Sequence, residues 1–186
     1  VTSSGYLGIR DTLLCLRTVT KMLESVRVEG FSLTAVSDFD KAALSAFLQE
    51  MSRDEALCEA TYLPPCMSHE EACRWLESYA HTAWVLLYKG RPIGWWGYDS
   101  IKCLCGFTLP EKTFEREVWL IEEFRGRRLV REATRLLAPV LIMRDIKYLV
   151  GITWETNASA VRGMSKAGFD RLGRGWWHWG DETPGW

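Results

Sequence analysis

No apolar run in this chain of 186 residues approaches the roughly 20 that a helix needs to cross a bilayer, so a soluble protein is expected. Neither sign of charge dominates. The 23 Lys and Arg stand against 24 Asp and Glu, a net charge of -1, which gives no overall attraction for phosphate backbones and makes nucleic acid an unexpected partner. The stretch from Val1 to Arg10 lacks the basic start, apolar core and small-residue cleavage site of a secretory signal, which points to the cytoplasm. The six cysteines, at 15, 58, 66, 73, 103 and 105, lack the spacing of a disulfide framework and are expected as reduced thiols. Cys58, Cys66, His69 and Cys73 show none of the paired spacings of a structural zinc site, so no metal is expected. Repeats, low-complexity tracts and interdomain linkers are missing too, and a chain of this length fits a single core.

What the sequence does have is hydrophobic periodicity. Leu13, Leu16, Val19, Met22, Leu23 and Val26 recur every three or four residues and predict a helix over 11–27, closed by Glu29-Gly30. This is read as a helical extension over 1–30 ahead of one domain over 31–186, free to pack on that domain or on a second copy as a homodimer. Phe31 to Val36 reads as a strand, and Ser37-Asp38 offers the cap of a helix through Ala43, Leu44, Phe47, Leu48 and Met51. Ser68 followed by Glu71 is a capping box for a helix over about 69–80. Trp84 to Tyr88 and Ile93 to Tyr98 flank a turn at Lys89-Gly90-Arg91-Pro92 and predict a hairpin. Phe114 to Ile121 predicts a strand that runs into Arg125-Gly126 and then a helix from about Leu129 to Met143, which Pro139 is expected to kink or shorten. Tyr148 to Trp154 is a further strand, Asn157 opens a helix through Lys166, and two short strands are expected around Gly173-Arg174-Gly175. The order is that of an α/β domain.

The segment with the most chemistry is Glu122-Glu123-Phe124-Arg125-Gly126-Arg127-Arg128-Leu129, set between a strand and a helix. The first N–H groups of a helix and its positive dipole end receive anions, Gly126 lets the backbone turn, and the arginines add directional donors. The same residues also suit a helix start with a solvated basic face. The next helix carries Asn157-Ala158-Ser159-Ala160-Val161-Arg162-Gly163-Met164-Ser165-Lys166-Ala167-Gly168-Phe169. Together the two segments resemble, in order and spacing, the defining motifs of the GNAT superfamily of acyl-CoA N-acyltransferases. Glu132-Ala133, Arg162, Lys166 and Gly168-Phe169 are most similar to the branch that acetylates protein N-terminal amines.

That resemblance implies a mixed central sheet of about six or seven strands, splayed between the strands ending near Ile121 and Trp154, with acetyl-CoA as acyl donor in the gap. It implies that backbone groups of Val118, Leu120 and Ile121 hold the pantetheine. Arg125, Gly126, Arg127, Arg128, Leu129 and Val130 would hold the pyrophosphate, with Asn157 beside them. Arg128 and Val130 stand where the family usually has small residues, and Met164 stands where many members carry a tyrosine that protonates the leaving thiolate. Glu117 and Glu155 are the carboxylates placed to flank the gap and take a proton from an attacking amine. Both also suit exposed strand or turn charges. The expected activity is acetyl transfer to a primary amine, of a protein N-terminus or a small molecule. A non-catalytic binding module and an acyltransferase acting on RNA remain the alternatives. Adjacent pairs such as Trp95-Trp96 are expected to place one ring on each face of the sheet, lining an acceptor cleft or filling the core.

Overall fold

The computed structural model describes residues 10–18, 28–61, 63–100 and 109–177. Its strands are β1 (Arg10–Thr18), β2 (Phe31–Ala35), β3 (Ala83–Tyr88), β4 (Arg91–Ser100), β5 (Thr113–Leu120), β6 (Tyr148–Trp154) and β7 (Asp170–Trp177). The helices are α1 (Lys41–Met51), α2 (Glu55–Ala60), α3 (His69–Ser78), α4 (Leu129–Met143) and α5 (Ala158–Lys166). All seven strands join one sheet in the order β2-β3-β4-β5-β6-β1-β7. Every pairing is antiparallel except that of β5 with β6.

One expectation fails outright. The segment expected as helix over 11–27 is strand as far as Thr18, inserted between β6 and β7 and paired with both. Residues 19–27 lie outside the described residues. The apolar spacing that suggested a helix is overridden by tertiary pairing, because the edge of β6 offers a full row of backbone partners from Tyr148 to Trp154. This part of 1–30 therefore belongs to the sheet of the domain and is not a helical extension. Smaller differences concern caps. Ser37-Asp38 falls in a 3-10 turn, and Asp40 caps α1 by accepting from Ala43 N at 2.7 Å. The two short strands expected near the C-terminus are one continuous β7. Helix α4 runs through Pro139 to Met143 without stopping.

Central strands buried on both sides read as unbroken apolar runs, and β3, with five of its six residues buried, is of that kind. Helices cover the two faces. On one side α1, α2 and α3 contribute Leu44, Leu48, Leu57 and Leu76 to a core with Val85, Trp95 and Trp119. On the other, α4 and α5 bring Leu129, Leu137, Leu141 and Met164 against Leu86, Trp96 and Leu120. Trp95 and Trp96 do point to opposite faces. The Ser68 and Glu71 capping box of α3 forms as the sequence indicates, each side chain bonding the other's backbone N–H.

Gly94 shows how tightly the hairpin strand sits against β5. A Cβ there would lie 2.3 Å from the Trp119 carbonyl oxygen and 3.0 Å from Leu120 Cα, both backbone-fixed. Gly94→Ala is expected to cost about 3 kcal/mol or more, since neither atom can move without breaking the ladder. Thermal unfolding of the purified variant checks this; a melting temperature within a degree of the parent would contradict the close approach.

Candidate active site

The parallel ladder between β5 and β6 holds for three pairs only, Thr113 with Tyr148, Phe114 with Leu149 and Glu115 with Val150. Beyond Glu115 and Val150 no pairing is recorded, and the two strands go on to Leu120 and Trp154 without a shared hydrogen bond. A strand turns the backbone groups of alternate residues to opposite sides. Ile121 N donates to Ile93 O at 2.9 Å on the β4 side, so Val118 and Leu120 turn theirs toward the opening. The Leu120 carbonyl there accepts from Arg125 Nε at 3.0 Å. Val118 is left as the backbone donor and acceptor facing the gap.

At the far end of β5 the chain makes a 3-10 turn over Glu122–Phe124, then passes Gly126 at φ 76° and Arg128 at φ 65° into α4. Arg128 is the residue ahead of the helix, and no side chain caps that end. The first bond inside the helix runs from Glu132 N to Arg128 O at 3.1 Å, so the N–H groups of Leu129, Val130 and Arg131 precede it. A Cβ added at Gly126 would meet nothing within 4 Å, so the space in front of the loop is open. A left-handed, non-glycine residue costs on the order of 1 kcal/mol, and such strain tends to sit where a ligand binds. The uncapped end of a fifteen-residue helix, an open approach and exposed guanidinium groups suit a phosphate-bearing ligand.

The arginines of this loop do not act alike. Arg125 is turned back onto β5 by its bond to the Leu120 carbonyl and braces the strand end. Arg127 lies over the Phe124 ring at 4.9 Å. Arg128 is exposed at the helix start, where its side chain is free to reach an anion or to swing away. Deeper in α4, Glu132 is buried and takes a two-point contact from Arg135, at 2.8 and 3.0 Å, so Arg135 is committed inside the fold.

Glu117 lies on the face of β5 that it shares with Trp119, beneath α3, and directly opposite Gly97 of β4. It is only 9% exposed, and neither carboxyl oxygen completes a hydrogen bond. Burial pushes its pKa up to about 8, the neighbouring Glu115 and Asp99 carboxylates push the same way, and the nearby Tyr79 hydroxyl pulls only partly against them. The approach of Tyr79 is thus felt electrostatically without a well-formed bond. Tyr79 in turn holds its proton above the ordinary range, through burial first and then Glu117, Asp99 and Glu115. Along this face exposure falls from Asp99 at the surface through half-buried Glu115 to buried Glu117. Three carboxyl groups on one face of the sheet thus stand in order of decreasing exposure, and the innermost has a pKa that suits a general base near neutral pH.

Glu155 is placed differently. It follows β6 in a turn, and Arg171 of β7 pairs with it at 3.7 Å. Glu155 is half-buried beside a cationic partner whereas Glu117 is buried without one, so the structure separates the two candidate carboxylates. Asn157 is the cap of α5 and accepts from Ala160 N at 3.0 Å, which commits its side-chain oxygen to the helix. Met164 is buried, with its sulfur 2.6 Å from where a Gly151 Cβ would stand, so the glycine and the methionine fit each other on the β6 side of the gap. Sequence reasoning passed over Arg116. Its guanidinium is 4.7 Å from the Phe169 ring and reaches within 3.6 Å of the same Gly151 position, on the face opposite Glu117. The alternation Glu115, Arg116, Glu117 was the available signal.

Among the described residues no group of three or more His, Cys, Asp and Glu side chains is arranged to hold a metal ion. Cys73 contacts His69 Nε2 at 3.6 Å, and Ser45 holds the other ring nitrogen at 2.9 Å. No helix among the described residues is long and apolar enough to cross a membrane.

The fold is shared with solved acetyltransferases. A GCN5-related N-acetyltransferase from Sphaerobacter thermophilus superposes with a TM-score of 0.59 at 14% identity, over 89% of this chain and 50% of its own. The ribosomal L7/L12 alpha-N-protein acetyltransferase RimL gives 0.58 at 17% identity, over 75% of this chain and 76% of its own. The aminoglycoside acetyltransferase AAC(6')-Ib, solved with coenzyme A, gives 0.60 at 19% identity, over 77% and 86%. The chain spans between 50% and 62% of the length of the first solved structures it matches. No curated protein matches it in sequence. The model of the acetyltransferase (GNAT) domain matches residues 33–170, from β2 to the start of β7. With the opening between β5 and β6 and the uncapped start of α4 inside that span, the chain belongs to the GNAT acetyltransferase domain family.

Proposed function

We propose that this protein transfers an acetyl group from acetyl-CoA to a primary amine, with Glu117 as the base. The observation that carries the proposal is the buried carboxyl of Glu117, without a hydrogen bond, at the point where β5 and β6 part. Acetyl-CoA supplies an activated acyl thioester. Leu129, Val130 and the exposed Arg127 and Arg128 would hold its pyrophosphate, and Val118 with the end of β5 at Leu120 and Ile121 its pantetheine arm. An amine reaches the site as an ammonium ion, drawn along Asp99 and Glu115, and must lose a proton before it attacks. Its positive charge beside Glu117 favours the ionised carboxylate, and that carboxylate then takes the proton. Arg125 braces the strand end, and Asn157 fixes the start of the helix that carries Met164.

RimL and AAC(6')-Ib differ in acceptor by their own descriptions, so the shared fold leaves the acceptor open. The motif resemblance favours an N-terminal amine or a small amine. Glu155 stays a secondary candidate as base because Arg171 already neutralises it. The free thiols of Cys58, Cys66 and Cys73 suit a reducing compartment, and the cytoplasm is the proposed place of action.

Thiol release from acetyl-CoA, followed with a panel of primary amines and confirmed by the mass of the acetylated product, tests the reading. Amine-dependent release is expected. Tight acetyl-CoA binding without release for any amine would instead support the non-catalytic module.

A further inference from the structure

Helices α1 and α3 meet along a seam that holds a chain of three polar side chains. Ser45 Oγ, in a residue 0% exposed, lies 2.9 Å from His69 Nδ1, and Cys73 Sγ lies 3.6 Å from the other ring nitrogen, Nε2. His69 and Cys73 are four residues apart on α3, the spacing that brings side chains together on one helix face. Ser45 is held in turn by Gln49, whose Nε2 donates to its hydroxyl at 3.4 Å. The ring is therefore fixed from behind, with its free edge on the thiol. A nucleophile, a base within hydrogen-bond reach and a third group that orients the base make up the arrangement that activates a thiol.

The surroundings of the thiol fit that use. Lys41 of α1 bonds Glu77 of α3 at 2.6 Å, and its pKa is raised first by Glu77 and, in smaller part, by Cys73, which places the ammonium within electrostatic range of the sulfur. Cys73 is half-buried beside the exposed His69, so solvent reaches the pair. Two other cysteines differ. The Cys58 thiol donates to the Ser52 carbonyl at 3.4 Å, and burial first, then Asp54 and Cys66, push its pKa up. Cys66 is exposed, yet among the described residues no hydrogen bond joins its thiol to another side chain.

Acyl transfer at Cys73 would need donors for an oxyanion, and backbone N–H groups inside a helix are already spent on the preceding turn. Exchange with a disulfide needs none, since charge passes from one sulfur to another. We propose that Cys73 is a site of S-thiolation by low-molecular-weight disulfides, with His69 as its base and Ser45 positioning the ring. His69 takes the thiol proton, the Cys73 sulfur attacks one sulfur of the disulfide, and a new S–S bond forms as the old one breaks. The departing thiolate collects the proton from His69. One thiol and one disulfide thus give a mixed disulfide and a thiol with no further oxidant, and a second thiol reverses the step. The reaction uses neither Glu117 nor acetyl-CoA, so it stands or falls apart from the proposed acetyl transfer.

Incubation with glutathione disulfide near pH 7, with the modified peptides followed over time by mass, tests the site. Exposure alone ranks Cys66 above Cys73. The base reverses that order, and Cys73 is expected to react at least about 10-fold faster than Cys66 in the same protein. His69→Gln should slow Cys73 by about 10-fold near pH 7 and leave Cys66 unchanged. That loss should shrink above about pH 9, where the thiol ionises without help. Should the variant fold poorly, the ratio of the two cysteines in the native protein decides by itself. Cys73 reacting no faster than Cys66, or at a rate that His69→Gln does not alter, overturns the proposal.

Discussion

Replacing Glu117 by Gln is expected to lower kcat/KM for the amine by about 10²- to 10⁴-fold, the usual worth of a positioned base, while leaving the binding of acetyl-CoA near its parent value. The pH dependence identifies the cause. In the parent, activity should rise with pH through about 8 as the buried carboxyl loses its proton, and that rising limb should vanish in the variant. Stability should move the other way. The folded-state pKa of about 8 lies above the ordinary 4.5, so between those values the folded protein binds a proton that the unfolded chain has released. The group's contribution is therefore complete below about 4.5 and is lost as pH rises through 8. Above that the parent carries a buried charge and the Gln variant does not, a difference of about 5 kcal/mol at most. Melting temperatures at pH 6 and pH 9 should show the variant gaining on the parent at the higher pH. A Gln variant that keeps full turnover would falsify the assignment of the base.

The burial that raises this pKa is tertiary, so the sequence shows the carboxyl only as a candidate. Glu117, inside one predicted strand, and Glu155, just after another, each read in one dimension as a charge among apolar residues. What separates them is long-range: Arg171, sixteen residues beyond Glu155, neutralises one, while α3 buries the other beneath Tyr79. Local signals carried much of the fold. The capping box of α3, the Lys89-Gly90 turn with both residues at positive φ, and the apolar period of α4 are contained within a few residues each. The failure at residues 11–18 has the same root. Leu13 and Leu16 fit a helical stripe, but the unpaired edge of β6, more than 130 residues away, makes strand the better state. Trp95 and Trp119 are legible as aromatic residues on two strands. That their nitrogens lack partners depends on α1 and α3 closing over them, which no spacing in the sequence records.

The largest effect on the acyl donor is expected at Gly126. The residue adopts φ 76°, which L side chains enter only with strain, yet nothing stands within 4 Å of the place a Cβ would take. Gly126→Ala therefore adds strain on the order of 1 kcal/mol without filling the approach, and acetyl-CoA affinity should fall by roughly 10-fold or less. Gly126→Asp adds the same strain and a carboxylate in front of an uncapped helix start. A carboxylate there repels a pyrophosphate and competes with it for the N–H groups of Leu129 and Val130. The aspartate variant should lose affinity at least about 100-fold in calorimetric titration, because a like-charge contact in a partly desolvated site costs several kcal/mol. The contrast between the two variants carries the meaning. Equal losses would reduce Gly126 to a backbone hinge, and equal retention would move the donor away from the start of α4. A large loss confined to aspartate identifies the loop as the seat of the pyrophosphate even in a protein whose Arg128 and Val130 depart from the small residues usual there.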